Sequence, residues 1–204
     1  MIRWQDAPSA PLAKPLADLY ASLAAIDAIA IDARLDRAPL ALVAHAAQEA
    51  AARHVAGRRD EQGGLLVGTP YARDPASGAI DVVHVRGAVG AVDFSSSGVS
   101  LRMEAGVWDR ARNALRAGEL VVGWFHSHPG LGAFFSETDR RTQAAFFAHP
   151  FSVGWVIDPY ADEEAWFLGE GAERLDAPRV LRLCKQTAEV RSGAAHRRSS
   201  AQES

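Results

Sequence analysis

The stretch Gly123-Trp124-Phe125-His126-Ser127-His128-Pro129-Gly130, followed by Ser136 and Asp139, decides how this chain is read. Leu120 to His128 is predicted to be a strand, and side chains alternate along a strand. His126 and His128 therefore face one side while Ser127 points away. Two imidazoles so placed can chelate a single ion. Ten residues separate His128 from Asp139, and Gly130 and Gly132 among them let the chain turn back, so that a helix start faces the strand end. The result is an N,N,O donor set. Catalytic zinc sites use three protein ligands at about 2.0–2.2 Å and keep a fourth position open. Ser136 and Asp139 also read as a helix start, a serine N-cap with an acid three residues on; capping and ligation are compatible in one turn. The other histidines, His45, His54, His84, His149 and His196, have no ligand spacing and read as surface, helix-end or core residues.

Outward from this stretch the pattern predicts mixed α/β structure. Leu16, Leu19, Tyr20, Leu23 and Ile26 recur at helical spacing over Pro15–Asp27, and Ala28–Leu35 reads as a short strand. A strand over Leu40–Val43 and an alanine-rich helix over Ala44–Val55, ending near Gly57, follow. Gly64–Gly68 reads as a buried strand, Arg73–Gly78 as a hairpin turn and Ile80–Val85 as the next strand. Residues 87–99, with three glycines and a serine triplet, read as a mobile loop. A helix over Leu101–Ala117 stops at Gly118. Beyond the central strand lie a loop (Pro129–Phe135), a helix (Ser136–Ala148) and strands at Ser152–Ile157 and Glu164–Leu168. Residues 1–14 read as a loose leader, and the polar last twenty or so as disordered.

The 204 residues suit one ordinary domain with extensions. With 48% hydrophobic and 23% charged residues there is material for a core, and a net charge of −3 argues against coating nucleic acid or binding a membrane through a polybasic surface. No run of residues is apolar enough for a membrane span, and the N-terminus does not read as a signal peptide. Cys184, the only cysteine, excludes an intramolecular disulfide or a cysteine-built zinc site and suggests a reducing, cytoplasmic setting. The heavy use of arginine and alanine points to a bacterial genome rich in G and C.

The combination of His-Ser-His-Pro, seven residues to Ser136 and two more to Asp139 resembles the signature of the JAMM metalloproteases, the catalytic form of the MPN domain. The likeness covers roughly residues 40–170. Gly123–Gly130 and Val156-Ile157-Asp158-Pro159 are most similar to the deubiquitinating and deneddylating branches of that family. The resemblance implies a cytidine-deaminase-like mixed β-sheet flanked by helices. With the likeness so placed, the expected division is a metalloprotease domain over 39–184, an N-terminal extension with a helix over 1–38 and, from composition, a disordered polar tail over 185–204. It also implies one catalytic Zn2+ on His126, His128 and Asp139. The family's upstream Glu-x-x-Gly-x-Leu-x-Gly matches Glu61-Gln62-Gly63-Gly64-Leu65-Leu66-Val67-Gly68, which makes Glu61 the acid–base residue; without the resemblance Glu61 is one acid among 25. Ser136 takes the place of the serine that stabilises the tetrahedral oxyanion.

By the same resemblance the substrate is a ubiquitin-like protein or its conjugates, cleaved after the C-terminal tail. The tail would lie as an added strand between Gly130–Phe135 and Asp93–Ser100; Phe134 and Phe135 read equally as groove wall or core. An alternative is a peptidase that processes a sulfur-carrier protein. A non-catalytic MPN scaffold is disfavoured because every motif position is filled. A DNA-repair-associated relative is disfavoured because its pattern has Asn between the histidines and Ser-Gly after the proline, where this chain has Ser127 and Gly130-Leu131. Linkage preference, and whether a homodimer or partner subunit is needed, stay open.

Overall fold

The computed structural model describes residues 12–92, 94–97, 100–103 and 105–183. Its elements run β1 (Lys14–Pro15), α1 (Leu16–Tyr20), α2 (Ala25–Asp32), β2 (Leu40–Val43), α3 (His45–Val55), β3 (Gly63–Ala72), β4 (Val82–Gly90), β5 (Phe94–Ser97) and β6 (Ser100–Met103). They continue with α4 (Ala105–Ala114), β7 (Leu120–Ser127), α5 (Glu137–Phe146), β8 (Val153–Asp158), β9 (Glu163–Leu168), β10 (Glu173–Arg174) and β11 (Val180–Arg182). The main sheet has the order β10-β9-β8-β7-β3-β4-β2-β11, with β1 beside β3. It is mixed: β7 and β8 are parallel, as are β2 and β4, whereas β3 is antiparallel to both β4 and β7. β5 and β6 form a separate antiparallel hairpin. No helix among the described residues is long and apolar enough to cross a membrane.

Alternation along the central strands builds two cores on opposite sheet faces. Leu66, Phe125 and Trp155 pack against Ala47, Ala51 and Val55 of α3. Their neighbours Leu65, Trp124 and Val156 pack with Val107 and Ala111 of α4 and with Phe135 and Phe147, which flank α5. Because His126 and His128 follow Trp124 at period two, they belong to this second face. Gly154 of β8 makes the packing possible, since a Cβ there would sit 2.2 Å from the Phe135 ring.

The N-terminal segment departs from expectation. The helix expected over Pro15–Asp27 is broken after Tyr20, where the Ser22 hydroxyl donates back to the Leu19 carbonyl. The strand expected over Ala28–Leu35 is instead the rest of α2 and a 3₁₀ turn over Leu35–Arg37. Alternation misled there: Ile31 is buried, but Ile29 and Ile26 are solvent-exposed, so the apolar residues do not line one buried strand face. Leu16, Leu19 and Ile31 form a third cluster with Leu40, Leu42, Tyr71 and Val82, which fastens this segment to the sheet. Two further corrections concern loops and helix starts. Residues 87–90 belong to β4, and 94–97 pair with 100–103, in place of the loop expected over 87–99. The helix expected from Leu101 begins at Ala105. The leader to residue 11, Cys184 and the polar tail lie outside the described residues.

Candidate metal centre and active site

β7 delivers His126 and His128 to one place, and the loop behind them brings α5 back. Gly130 and Gly132 have φ of +73° and +85°, left-handed conformations that glycine adopts without steric cost. Asp158, at the end of β8, holds this turn: its carboxylate accepts hydrogen bonds from the N–H groups of Gly130 (2.9 Å), Gly132 (2.7 Å), Tyr160 (2.9 Å) and Ala161 (3.2 Å). Burial alone would push the Asp158 pKa up; the four donors overcome that and hold it at about 2, against an ordinary 3.8. A depressed carboxylate pKa contributes stability that is present above the unfolded value and disappears as pH falls through the folded one. The stability advantage of the wild type over Asp158→Asn is therefore expected to be largest near neutrality and to shrink between pH 3.8 and about 2. Urea unfolding at stepped pH measures it, and an advantage that does not change across that window would show that the charge is not what holds the turn.

The helix start carries a complete capping box. The Asp139 N–H donates to Ser136 Oγ at 3.2 Å, and Asp139 Oδ2 accepts from the Ser136 N–H at 2.7 Å. The same carboxylate faces the histidines: Asp139 Oδ1 lies 3.2 Å from His126 Nε2, and Oδ2 lies 3.6 Å from His128 Nε2. The two Nε2 atoms are 3.0 Å apart. All three residues are buried, and they are the one group of three or more potential ligands gathered among the described residues. An ion with tetrahedral ligands at about 2.0–2.2 Å holds them roughly 3.3–3.6 Å from one another, close to the separations seen. Two imidazole nitrogens and a carboxylate oxygen are also donors that zinc accepts.

Protonation states agree with that use. Burial, and then the neighbouring His126 ring, lower the His128 pKa from its ordinary 6.5, against the pull of Asp139 and Glu61. Burial works against ionisation of Asp139, but its hydrogen bond to His126 and its bonds with Ser136 outweigh it, and its pKa falls below 3.8. A neutral imidazole and an ionised carboxylate are the forms that bind a metal.

Glu61 stands beside this group, its Oε1 3.9 Å from His128 Nε2 and its side chain partly exposed. Ser127 fixes the segment just before β3 that carries it. The Ser127 hydroxyl accepts from the Gln62 N–H at 3.0 Å, and the Ser127 N–H donates to the Gln62 carbonyl at 2.8 Å. Thus the residue between the two histidines, pointing away from them, clamps the neighbour of Glu61. The pair left ambiguous by sequence separates: Phe135 is buried, whereas Phe134 is exposed with its ring 5.0 Å from that of His128. Leu131 is exposed on the same loop. Of the opposite wall expected over Asp93–Ser100, residues 93, 98 and 99 lie outside the described residues.

All five site residues expected from sequence, Glu61, His126, His128, Ser136 and Asp139, thus meet around the end of β7. Four supporting residues were not anticipated: Ser127, Asp158, Trp124 and Gln143. Trp124 stacks on His126, with ring centres 4.6 Å apart and planes 7° from parallel. Its indole Nε1–H donates to Gln143 Oε1 at 2.7 Å. A glutamine four residues after Asp139 was the available signal, since i and i+4 share a helix face.

A model of the prokaryotic homologs of the JAB domain matches residues 39–169. Among curated proteins, the NAD(+) hydrolase TcpA of the Theionarchaea archaeon strain DG-70-1 is 35% identical over 102 residues, covering 48% of this chain and 27% of that protein. The ubiquitin carboxyl-terminal hydrolase RPN11 of Saccharomyces cerevisiae is 33% identical over 102 residues, covering 47% of this chain and 30% of that one. The matched segment is thus under a third of either relative. Among solved structures, protein DSY2949 from Desulfitobacterium hafniense superposes with a TM-score of 0.53 at 21% identity, over 71% of this chain and 93% of that one, a likeness of fold.

Proposed function

Because the chain belongs to the family of prokaryotic homologs of the JAB domain, we propose that it is a zinc-dependent isopeptidase or peptidase that cleaves after the C-terminal tail of a ubiquitin-like protein. The observation that carries this reading is the carboxylate of Glu61 standing 3.9 Å from His128 Nε2, beside a closed N,N,O group that already has three members. Relatives named as hydrolases support the reaction class. In the proposed site His126, His128 and Asp139 hold the zinc and Glu61 stays free of it.

A zinc ion held there would supply a Lewis acid for a scissile carbonyl and would make water more acidic. Glu61 accepts a proton from the attacking water and delivers it to the departing amine, which would otherwise leave as a poor, unprotonated group. Ser136 has its oxygen engaged as an acceptor by the Asp139 N–H, so its own proton is free to donate toward the oxygen on which negative charge develops. The positive end of α5 adds to this. Exposed Leu131 and Phe134 offer an apolar wall to an extended chain, and the β5–β6 hairpin is the proposed opposite wall. The segment before residue 39 lies outside the matched domain and is proposed as an extension packed on the sheet.

The zinc-loaded protein should be incubated with a panel of ubiquitin-like proteins carrying either an isopeptide-linked lysine or a linear C-terminal extension, and with NAD+. Mass spectrometry is expected to locate a cut directly after the tail of at least one of them. Preference for linear extensions would favour precursor or sulfur-carrier processing. Consumption of NAD+ with no cut chain would overturn the peptidase reading, and so would inertness toward the whole panel.

A further inference from the structure

Histidines that ligate metals ordinarily give their second ring nitrogen to a carboxylate, a carbonyl or water, and that bond fixes both tautomer and ring orientation. Here the Nδ1 atom of His126 is buried and has no hydrogen-bond partner among the described residues. His126 must be aimed by something else. Its ring stacks on the indole of Trp124, with ring centres 4.6 Å apart and planes 7° from parallel. The indole in turn has a single polar handle, its Nε1–H, and that is bound by Gln143 Oε1 at 2.7 Å. Gln143 cannot rotate away: it is fully buried, and its Nε2 lies within hydrogen-bond distance of the carbonyls of Phe147 (3.2 Å), Ser152 (3.2 Å) and Gly169 (3.0 Å). Those carbonyls come from the end of α5, the start of β8 and the end of β9. Gln143 also shares α5 with Asp139, one turn on.

Resting on the reading of this site as a metal centre, we propose that Gln143 and Trp124 are positioning residues that take over the orienting role of the missing Nδ1 bond. Gln143 locks the indole, the indole sets the plane of His126, and the helix that carries Gln143 sets Asp139. Two of the three ligands are thereby placed by one buried amide. A glutamine suits the role because only an amide offers an acceptor to the indole and donors to surrounding carbonyls at once.

The test uses the full chain with Gln143→Met, which keeps the length and removes both functions, and Trp124→Phe, which keeps a stacking ring and removes the N–H. Zinc dissociation constants are measured by competition with a chelator, and the visible spectrum of the Co2+-substituted protein reports ligand geometry. Each variant is expected to bind zinc about 10–100-fold more weakly, the range for losing an orienting partner, and to shift the Co2+ bands. The double variant should be no worse than the weaker single, because both act through one bond. In the metal-free wild type, the Trp124 indole N–H should exchange slowly with solvent, and Gln143→Met should lose that protection. Zinc affinity within about twofold of wild type in both variants, with unchanged Co2+ spectra, would overturn the proposal even if their melting temperatures fell. So would effects that multiply in the double variant. Should Gln143→Met not fold, Trp124→Phe carries the test by itself. A wild type that binds no zinc would instead sink the metal-centre reading.

Discussion

Replacement of Glu61 by glutamine is expected to lower turnover by about 10²–10⁴-fold, the usual contribution of a positioned proton carrier, and to leave zinc content unchanged. The two halves of that statement rest on different observations. Glutamine has the same shape but cannot take up a proton at neutral pH, so any step that needs water deprotonated or an amine protonated slows. Zinc content holds because Glu61 lies outside the mutually close His126, His128 and Asp139 set. Its partial exposure also means that the new amide is not stranded in an apolar interior. Turnover on a cleavable ubiquitin-like fusion and zinc by elemental analysis decide it. Full activity in Glu61→Gln would remove this residue from the mechanism, and loss of zinc would make it a ligand.

The second large effect concerns the metal. His126→Ala is expected to bring purified protein from one zinc per chain to about a tenth or less, since a site left with two ligands binds far more weakly. It should also erase the stabilisation by added zinc. A ligand that binds only the folded state stabilises by about 2.7 kcal/mol at 100 times its dissociation constant, which thermal melts of the wild type with and without zinc would show. Truncating a fully buried ring costs stability for another reason, about 2–4 kcal/mol as a cavity, so the melting temperature of the variant by itself says little. The zinc-dependent difference is the informative quantity. Asp139→Asn gives a cleaner separation: its amide oxygen can still accept from the Ser136 N–H, so α5 keeps its cap while the charge proposed to hold the ion is gone. Undiminished zinc in His126→Ala would refute the ligand assignment.

Much of the site was legible because its chemistry is written in short spacings. His126 and His128 needed only strand alternation to share a face, and Ser136 and Asp139 needed only a helix start. Glu61 is different. It lies 65 residues before His126 in sequence, and only the strand pairing of Gly63 with His126 brings it alongside; periodicity could not reveal that, and the resemblance to JAMM metalloproteases did. The same limit hid Gln143 and Trp124, whose link is a hydrogen bond between a strand and a helix 19 residues apart. In the fold, the central strands were readable from their apolar runs. β11 was not, because three residues with an exposed arginine carry no signal until they pair with Ala41–Val43, far away in the chain. α2 was misread because Ile26 and Ile29 face solvent, so that its apolar residues mark no consistent buried side.

The clamp made by Ser127 on Gln62 bears on how such a molecule can change over time. Glu61 lies two residues before β3 and the histidines lie at the end of β7, and reciprocal bonds between Gln62 and Ser127 join the two segments beside them. Leu131 and Phe134, by contrast, project from a loop whose backbone is moored by Asp158 while their side chains contact solvent. Under the proposed function, substitutions there would alter what is admitted without disturbing the groups assigned to the reaction. On that reading, diversification of clients and preservation of chemistry would fall to different parts of the chain, and a lineage could explore the first while the second stood still.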